Sequence, residues 1–425
     1  MNILAINPWI YDFAAYDFWL KPYGFLVLLT YLENKGVNVR YIDCLEKKLS
    51  TDKFGRGKYY SEVISKPNIL KSIPRRFKRY GITIEEFSTK LKLIIPQPDF
   101  ILLTSSMTYW YPALEDTLIL LKDYFPRVPI ILGGTYATLC FEHAIRNIPC
   151  DYIFKGEDLE AFFKLLNIEF NYEKFYSTLP DYQKFYPQCN YIVLRTSWGC
   201  PFRCSYCAIK NLFPNFFRLP QEKIIEFILQ HYHRGIKDFV FYDDALLYPP
   251  EYIKGLLRKV EKERINIRFH TPNALHLKFL DEELVHLLKK TGFINPHFGL
   301  ETLNPQLQKE WTDKITINEG IRGINLLKKG GFHQGEFSVY LLLGYPGQDL
   351  TTFKKEIDIL HSLGAKISLA EFSPTPGTEI FERYKEKLKE PLLHNNSIFC
   401  FFPHLPLKEF YRIKNYVRML NKKFL

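Results

Sequence analysis

Residues 191–207 read Tyr-Ile-Val-Leu-Arg-Thr-Ser-Trp-Gly-Cys-Pro-Phe-Arg-Cys-Ser-Tyr-Cys. The apolar, β-branched run Tyr191–Thr196 predicts a buried strand. The loop after this run holds three cysteines, Cys200, Cys204 and Cys207. Thiolates are soft ligands that favour zinc, copper(I) or iron–sulfur clusters. The stretch therefore predicts a metal site on a loop that follows a strand.

The number of available ligands narrows the choice of metal. Zinc sites and ferredoxin-type clusters use four protein ligands, but the next cysteine is Cys400 and the nearest histidine is His231. A loop with three cysteines fits a cubane cluster whose fourth iron stays open for another ligand. The alternatives are a zinc site completed by a distant residue, or three unrelated thiols.

The order C-x3-C-x2-C, with Tyr206 directly before the last cysteine, resembles the cluster loop of the radical S-adenosylmethionine (SAM) superfamily. In that family the open iron binds the amino and carboxylate groups of SAM, and an electron from the cluster cleaves SAM to a 5′-deoxyadenosyl radical. The resemblance implies a [4Fe-4S] cluster held by Cys200, Cys204 and Cys207, with SAM bound beside it.

Six strand–helix units between Tyr191 and about residue 382 predict a partial (β/α)6 barrel of the TIM type. The predicted strands are Tyr191–Thr196, Asp238–Tyr242, Ile265–His270, Pro296–Leu300, Glu336–Leu342 and Lys366–Phe372. In such barrels the chemistry takes place where the strands end and the loops begin. The cysteine loop comes at the end of the first strand, as this rule requires.

The loops after the other predicted strands resemble the SAM-binding segments of the same superfamily. This resemblance assigns contacts with SAM to Tyr206, Asp243, Asp244, Glu301, Gly344 and Pro346. Gln348 stands where the family usually has a glutamate. A structural alternative for the two aspartates is to cap the next helix. A buried Glu301 needs a partner, which either the ligand or the protein would supply.

Residues 1–165 alternate apolar runs with longer helical patterns, which predicts a Rossmann-like (flavodoxin-like) α/β domain with a parallel sheet. The predicted strands are Asn2–Ile6, Val39–Asp43, Asp99–Thr104, Pro129–Leu132 and Tyr152–Phe154. Two carboxyl ends carry hydroxyl groups and a glycine pair, at residues 104–110 and 132–136. Such turns let a bulky ligand approach the backbone, or they are ordinary turns.

The order of these two turns resembles the cobalamin-binding domain of corrinoid enzymes. The resemblance assigns contacts with cobalamin to Ser105, Ser106, Met107, Gly133, Gly134 and Thr135. The family's histidine-bearing loop would follow the first strand, but residues 7–17 contain no histidine. No histidine of that loop can therefore serve as the lower axial ligand. The domain either binds cobalamin without one or keeps only the fold.

Three further segments complete the chain: a basic insert at about 45–98, a linker at 166–190 and a C-terminal helical extension at 383–425. The net charge of +11 is compatible with nucleic acid, anionic lipid or phosphate-bearing ligands, and also with a lysine-rich solvated surface. No nucleic-acid-binding motif accompanies the insert, so we do not expect a nucleic-acid partner. In the extension, His394, Cys400 and His404 are single loop residues with weak claims as ligands.

The cysteines and the apolar runs indicate a cytoplasmic protein. Only three of the eight cysteines cluster, which is not the pattern of a disulfide framework, and free thiols indicate a reducing compartment. The N-terminus lacks the features of a signal peptide, and no apolar run reaches the length of a spanning helix. We therefore expect no transmembrane segment.

The resemblances together imply a radical SAM enzyme that methylates an unactivated carbon with the help of cobalamin. They also imply a small-molecule substrate of unknown class and a reductant of the flavodoxin or ferredoxin type. One alternative is a radical SAM enzyme that rearranges, cyclises or oxidises its substrate, with the N-terminal domain as a scaffold. A methylthiotransferase acting on transfer RNA is disfavoured, because the extra N-terminal cysteines and C-terminal RNA-binding barrel of those enzymes are missing. A non-catalytic metal- or nucleic-acid-binding protein is the remaining alternative.

Overall fold

A five-stranded parallel sheet organises the N-terminal part of the protein, as the sequence predicts. The structure, a computed structural model, describes residues 1–311, 314–399 and 407–424. The strands in chain order are Asn2–Asn7, Asn38–Asp43, Phe100–Leu103, Ile130–Leu132 and Tyr152–Ile153. Their spatial order is 2-1-3-4-5 with every pair parallel. This is the flavodoxin-like order, which places its ligand site at the carboxyl ends of strands one and three.

Helices cover both faces of this sheet, so its three inner strands are buried almost throughout, whereas the two edge strands are partly exposed. Their bounds are Tyr23–Asn34, Ile84–Lys92, Pro112–Tyr124, Thr135–Leu139, Phe141–Asn147 and Leu159–Leu165, with a 3-10 turn at Thr108–Trp110. Ile84–Lys92 starts with a capping box in which Thr83 and Glu86 bond each other's backbone N–H groups. It is the crossover between strands two and three, so the last part of the predicted insert belongs to the regular α/β alternation.

The rest of the predicted insert forms two small antiparallel sheets. A hairpin joins Lys48–Thr51 to Gly57–Tyr59, and residues 52–56 form its turn. A three-stranded sheet contains Ile10–Asp12, Lys78–Tyr80 and Ser61–Val63, with a 3-10 turn at Asn68–Leu70. The first of its strands lies in the loop that follows the first strand of the main sheet.

Two short helices, Tyr172–Tyr176 and Tyr182–Phe185, lie between the main sheet and the barrel. The hydroxyl of Tyr182 donates to the carbonyl of Val193 at 2.8 Å, and that of Tyr186 donates to Asp43 at 2.6 Å. One continuous hydrophobic core includes residues of both the main sheet and the barrel. The aromatic side chains of this segment therefore pack between the two parts.

The second part is a six-stranded parallel barrel whose third strand is broken. Its strands are Tyr191–Leu194, Asp238–Phe241, Arg268–His270 continued by Leu275–His276, His297–Glu301, Ser338–Leu343 and Lys366–Glu371. Arg268–His270 pairs with the second strand, whereas Leu275–His276 pairs with the fourth. The break contains Pro272, which has no N–H to donate to a neighbouring strand. The prediction of one strand at Ile265–His270 was therefore wrong in both bounds and continuity.

The barrel helices alternate with the strands, as the predicted strand–helix units require. They are Gln221–Tyr232, Pro250–Lys262, Glu282–Lys290, Ile317–Lys329 and Leu350–Ser362. Shorter elements are the helices Ile209–Leu212 and Pro305–Trp311, the antiparallel pair Ser197–Trp198 with Phe217–Arg218, and a 3-10 turn at Leu277–Phe279.

The C-terminal extension packs on both parts of the protein. Its helices are Glu379–Tyr384, Asn396–Phe399 and Leu407–Asn421, with 3-10 turns at Lys385–Lys387, Pro391–His394 and Lys422–Phe424. Phe410, Ile413, Val417 and Leu420 join the barrel core, whereas Leu392 and Ile398 join the core of the main sheet. Within the three described ranges, no helix is long and apolar enough to cross a membrane. The weak ligand candidates Cys400 and His404 lie outside the described residues.

Candidate active site at the mouth of the barrel

The cysteine loop leaves the barrel at the carboxyl end of the first strand and returns beside its own start. Ser197–Trp198 pairs with Phe217–Arg218 at the base of the loop. Gly199, the next residue, has a φ of +73°, and a Cβ atom there would collide with the carbonyl of Asn215. Only glycine combines this backbone with this approach, which explains the glycine directly before Cys200.

Backbone bonds tie the loop to two other loops of the barrel mouth. The N–H of Ser205 donates to the carbonyl of Trp311 at 2.7 Å, and the N–H of Ile380 donates to the carbonyl of Ser205 at 3.4 Å. Trp311 ends the helix after the fourth strand, and Ile380 follows the sixth strand. The loop is therefore fixed across the mouth of the barrel.

The three thiols differ in exposure. Cys200 is buried, Cys204 is half-buried and Cys207 is exposed, and all three are free. Burial, followed by the nearby Asp244 and Cys204, raises the pKa of the Cys200 thiol to about 11, although a backbone hydrogen bond and Lys314 act in the opposite direction. Binding iron as a thiolate therefore requires this sulfur to release a proton.

The donor set fits a cluster better than a single metal ion. No group of three or more His, Cys, Asp or Glu side chains in the described parts of the chain could hold one metal ion. The loop offers three sulfurs close enough to influence one another's pKa values. Three soft ligands without a fourth fit a [4Fe-4S] cluster with one open iron.

Asp243 lies under the base of the loop and binds protein groups. It accepts bonds from the N–H of Thr196 at 3.0 Å and from the hydroxyls of Thr196 and Ser197 at 2.6 Å. Its side chain has no exposed surface. A direct contact with SAM, as predicted for Asp243, would require this packing to change.

Asp244 remains open to the site. Its carboxylate pairs with Arg195 at 2.8 Å and keeps about a fifth of its side-chain surface exposed. Burial raises the pKa of Asp244, and Arg195 opposes this effect. Its charge influences Cys200 and Cys207, so the carboxylate lies close to the thiols.

Glu301 ends the fourth strand and is paired inside the barrel mouth. Its carboxylate lies 3.0 Å from the ammonium group of Lys314, which also donates to the hydroxyl of Tyr206 at 3.3 Å. Glu301 has a φ of +67°, an uncommon conformation for a residue other than glycine. Strained backbone of this kind is concentrated at functional sites, and Lys314 brings Tyr206 and Glu301, both predicted SAM contacts, close together.

His276, at the end of the broken third strand, faces the same space. It pairs in register with Gly299 of the fourth strand. Gly299 lies close to Lys314, because a Cβ atom added to this glycine would be 3.5 Å from the lysine ammonium group. Its ring packs on Phe202 of the cysteine loop, with centroids 4.9 Å apart. Nδ1 is buried and has no hydrogen-bond partner among the described residues. Burial, followed by Lys314 and Lys278, holds the pKa of His276 well below its usual value.

The turn after the fifth strand is closed by its own glutamine. The Gln348 amide accepts from the N–H of Gly344 at 2.9 Å and donates to the carbonyl of Leu342 at 2.8 Å. Gly344 has a φ of +93°, and Pro346 is half-buried. Gln348 thus shapes the turn that presents the two predicted SAM contacts, Gly344 and Pro346.

The two predicted cobalamin turns touch each other at the edge of the main sheet. The N–H of Thr135 donates to the carbonyl of Ser105 at 2.7 Å, and the hydroxyl of Ser105 donates to Gly133 at 2.7 Å. A Cβ at Gly134 would collide with the backbone of Ser105. Ser105 is buried and occupied by these bonds, so the predicted contact between its side chain and a ligand is not available in this arrangement.

The rim of this edge remains accessible. Ser106, Met107, Gly133, Gly134 and Thr135 all keep exposed surface. The cleft behind them, lined by Asn7, Trp9 and Ser105 among others, has only about 10 Å³ of space, close to the room that a single water needs. The rim, and not the cleft, is therefore the part that fits a bulky cofactor.

The loop after the first strand is covered by the C-terminal extension. Asp12 accepts bonds at 2.8 Å from the indole of Trp110 and from the amide of Asn395. Tyr111 donates to Glu390 at 2.8 Å, and His394 lies within bonding distance of Thr108. Burial raises the pKa of Asp12, and its neutral donors lower it. His394 is thus a structural residue of this contact.

Comparison with known proteins identifies the class to which the barrel belongs. Residues 195–360 match the family model of the Radical SAM superfamily. The match covers the cysteine loop and the ends of the second to fifth barrel strands, so the chain contains a Radical SAM domain. A radical SAM domain uses a [4Fe-4S] cluster and SAM, so the predicted cofactors are confirmed, whereas the assignment of Cys200, Cys204 and Cys207 as the cluster ligands stays a prediction.

Particular relatives and a solved structure extend the likeness beyond the residues that the family model matches. The chain is 24% identical over 325 residues to an uncharacterized methyltransferase of Pyrococcus horikoshii, covering 67% of this chain and 69% of the relative. It is 24% identical over 293 residues to bacteriochlorophyllide d C-12(1)-methyltransferase of Chlorobaculum tepidum, covering 61% and 60%. Its fold is similar to the radical SAM methyltransferase TsrM of Kitasatospora setae, solved with cobalamin and a [4Fe-4S] cluster. That TM-score is 0.66 at 16% identity, covering 91% of this chain and 78% of TsrM.

Sequence reasoning missed three residues of the site. Lys314 lies in an irregular segment, so its pairing with Glu301 depends on tertiary structure alone. Arg218 was overlooked because its partners lie in other loops, although its position after the cysteine loop was visible. His276 lies four residues after Pro272, in the second piece of the broken third strand. Pro272 was the signal that the strand is interrupted there and resumes beyond it.

Proposed function

We propose that the protein is a cobalamin-dependent radical SAM methyltransferase that methylates an unactivated carbon of a small molecule. One contact carries the proposal. The helix Thr135–Leu139, which begins at the glycine pair, packs against Ile209–Leu212, which begins two residues after Cys207. The predicted corrinoid edge and the predicted cluster loop are thereby direct neighbours.

The chain's own residues would position three groups around this contact. Cys200, Cys204 and Cys207 would hold the cluster, and the accessible rim at 106–107 and 133–135 would hold the corrinoid. When bound, the cluster and SAM supply radical chemistry and cobalamin supplies a methyl carrier. The protein supplies orientation and exclusion of water.

The charged groups of the mouth suit a zwitterionic ligand such as the methionyl part of SAM. Lys314 offers a cation and Asp244 an anion, and both lie near the cysteine loop. Tyr206 adds a half-buried aromatic side chain whose hydroxyl accepts a hydrogen bond from Lys314 and which packs against the apolar cluster of Trp311 and Tyr345. We assign SAM contacts to Tyr206, Asp244, Glu301, Gly344 and Pro346, with Lys314 as an addition.

The partners and the compartment follow from this chemistry. Radical SAM enzymes need a reductant and a substrate, and we propose a flavodoxin- or ferredoxin-type donor. The seven cysteines of the described ranges are all free, which suits a reducing cytoplasm.

A radical SAM enzyme with a non-binding N-terminal domain is the second candidate. It is favoured by the loop at residues 7–17, which has no histidine and whose Asp12 is already bonded to Trp110 and Asn395. Such an enzyme would rearrange, cyclise or oxidise its substrate.

Anaerobic reconstitution with iron, sulfide, cobalamin, SAM and a reductant separates the candidates. The first predicts iron and sulfide in cluster amounts, retained corrinoid and 5′-deoxyadenosine among the products. The second predicts the cluster and the nucleoside without the corrinoid. Zinc in place of iron and sulfide, with no cleavage of SAM, would contradict both.

A further inference from the structure

A polar network closes the neck of the cysteine loop. Residues 199–216, which include all three thiols, leave the barrel after Ser197–Trp198 and return at Phe217–Arg218. Asp243, two residues after the second strand, lies beneath this neck. Its carboxylate accepts bonds from the N–H of Thr196 and from the hydroxyls of Thr196 and Ser197.

Arg218 completes the network from the returning side of the loop. One guanidinium nitrogen donates to the hydroxyl of Thr196 and lies 3.4 Å from Asp243. The other donates to the carbonyls of Leu246 at 2.8 Å and of Tyr248. Arg218 thus joins three segments: the start of the loop, its return and the turn after the second strand.

The network is well shielded from solvent. The side chain of Asp243 is fully buried, and that of Arg218 is 13% exposed. Charge-assisted hydrogen bonds are stronger than neutral ones, and leaving a buried partner unpaired is costly. The neck is therefore held by bonds that do not involve any of the three thiols.

We propose that Asp243 and Arg218 are positioning residues that hold the cluster loop in its binding conformation before and after the cluster is bound. The inference rests on the proposed function only in its assumption that the loop binds a cluster. It gives Asp243 a role other than the contact with SAM that the superfamily resemblance implies. It also explains why Thr196 and Ser197 carry hydroxyl groups at the end of an apolar strand.

The test compares Asp243→Asn with Asp238→Asn. Asp238 begins the strand that Asp243 follows and is likewise a buried carboxylate, bonded to Arg268 and His270. Both variants lose one buried charge, but only the first lies at the neck. An asparagine at 243 brings an NH2 donor toward groups that already donate. The measurements are the Tm of the apoprotein, iron and sulfide content, the EPR line of the reduced cluster, and the rate of iron loss to a ferrous chelator.

We expect Asp243→Asn to lose its iron at least about fivefold faster than wild type, equivalent to about 1 kcal/mol in the barrier, and to show an altered EPR line. Both variants are expected to lower the Tm of the apoprotein. Asp238→Asn, however, should keep the wild-type rate of iron loss and the wild-type EPR line. If both variants lower the Tm alike and neither changes the cluster, Asp243 has only a structural role and the proposal is wrong.

Milder variants keep the test decisive if Asp243→Asn does not fold. Thr196→Val and Ser197→Ala each remove one hydroxyl donor to Asp243, and Arg218→Lys keeps the charge with fewer donors. Faster iron loss in these variants, with the Tm near that of wild type, supports the proposal, and wild-type rates in all three overturn it. A wild-type protein that binds no cluster would instead contradict the radical SAM function itself.

Discussion

The ammonium group of Lys314 lies 3.0 Å from the carboxylate of Glu301, and both side chains are about nine-tenths buried. Burial alone would lower the pKa of Lys314, but Glu301 and the Cys204 thiol raise it above its usual value. The lysine therefore stays charged beside the cysteine loop. A buried cation at this place can attract the carboxylate of a ligand while Glu301 keeps it in position.

Replacing Lys314 by methionine should weaken SAM binding. The change removes the cation and leaves Glu301 buried without it, and breaking such a pair costs about 3–5 kcal/mol. We expect the Kd for SAM of the reconstituted protein to rise at least about tenfold, which corresponds to about 1.4 kcal/mol. Equilibrium dialysis with SAM measures this directly.

Lys314→Arg is the control for this prediction, because it preserves the charge and a donor to Glu301. It should retain most of the affinity that the methionine variant loses. A methionine variant that is folded and binds SAM as tightly as wild type would show that Lys314 pairs with protein groups such as Glu301 and does not contact SAM.

Replacing Cys204 by alanine should abolish the cluster and the cleavage of SAM, because two thiolates cannot hold the cubane in place of three. Iron and sulfide content, together with 5′-deoxyadenosine formation after anaerobic reconstitution, are the measurements. Cys189→Ala is the matched control, since Cys189 is a half-buried free thiol outside the loop. A Cys204→Ala protein that still forms the nucleoside would remove the basis for the ligand assignment.

Most of the fold could be predicted because its strands are short apolar runs between clear turn signals. The first strand, Asn2–Asn7, differs from prediction by one residue, and the strand Phe100–Leu103 lies within the predicted Asp99–Thr104. The third barrel strand could not be placed by hydrophobicity alone. Its second piece, Leu275–His276, pairs with the fourth strand, whereas the first piece pairs with the second strand. Which neighbour a strand pairs with depends on the tertiary structure, and hydrophobicity does not indicate it.

The site was predictable where a single loop carries it and unpredictable where distant segments meet. Three cysteines within eight residues are recognisable in the sequence. By contrast, Asn395 bonds to Asp12 from 383 residues away, and no local pattern marks such a contact. Asp243 shows a third case: its position was noticed, but a sequence cannot tell whether a carboxylate faces a ligand or the neck of a loop.

Replacing Gly134 by alanine should damage the predicted corrinoid edge. Gly134 has a φ of +98°, and a Cβ there would collide with the backbone of Ser105. Strained backbone of this kind costs about 1–3 kcal/mol, and relief would require the two turns to separate. We expect a lower Tm and less corrinoid retained after gel filtration, read from its visible absorbance.

Gly24→Ala provides the comparison for that variant. Gly24 lies in the first helix with no atom within 4 Å of an added Cβ, so alanine should be neutral or stabilise by up to about 1 kcal/mol. Its corrinoid content should equal that of wild type. Unchanged corrinoid retention in a folded Gly134→Ala protein would argue that the edge does not contact the cofactor.

Replacing His276 by phenylalanine should make the apoprotein more stable and its ligand binding weaker. Nδ1 of His276 is buried with no partner among the described residues, and an unsatisfied buried polar atom costs about 1–3 kcal/mol. Phenylalanine keeps a ring against Phe202 and removes this cost, so the Tm should rise. The imidazole, kept neutral by burial and by Lys314, is available to bond a ligand in the mouth, and its loss should raise the Kd for SAM.

His297→Phe is the matched control, because its Nδ1 is also buried without a partner among the described residues, while its ring stacks on Tyr340 and not on the cysteine loop. It should stabilise similarly without changing the affinity for SAM. Equal SAM affinities in the two variants would show that His276 is an unsatisfied core residue and no part of the site.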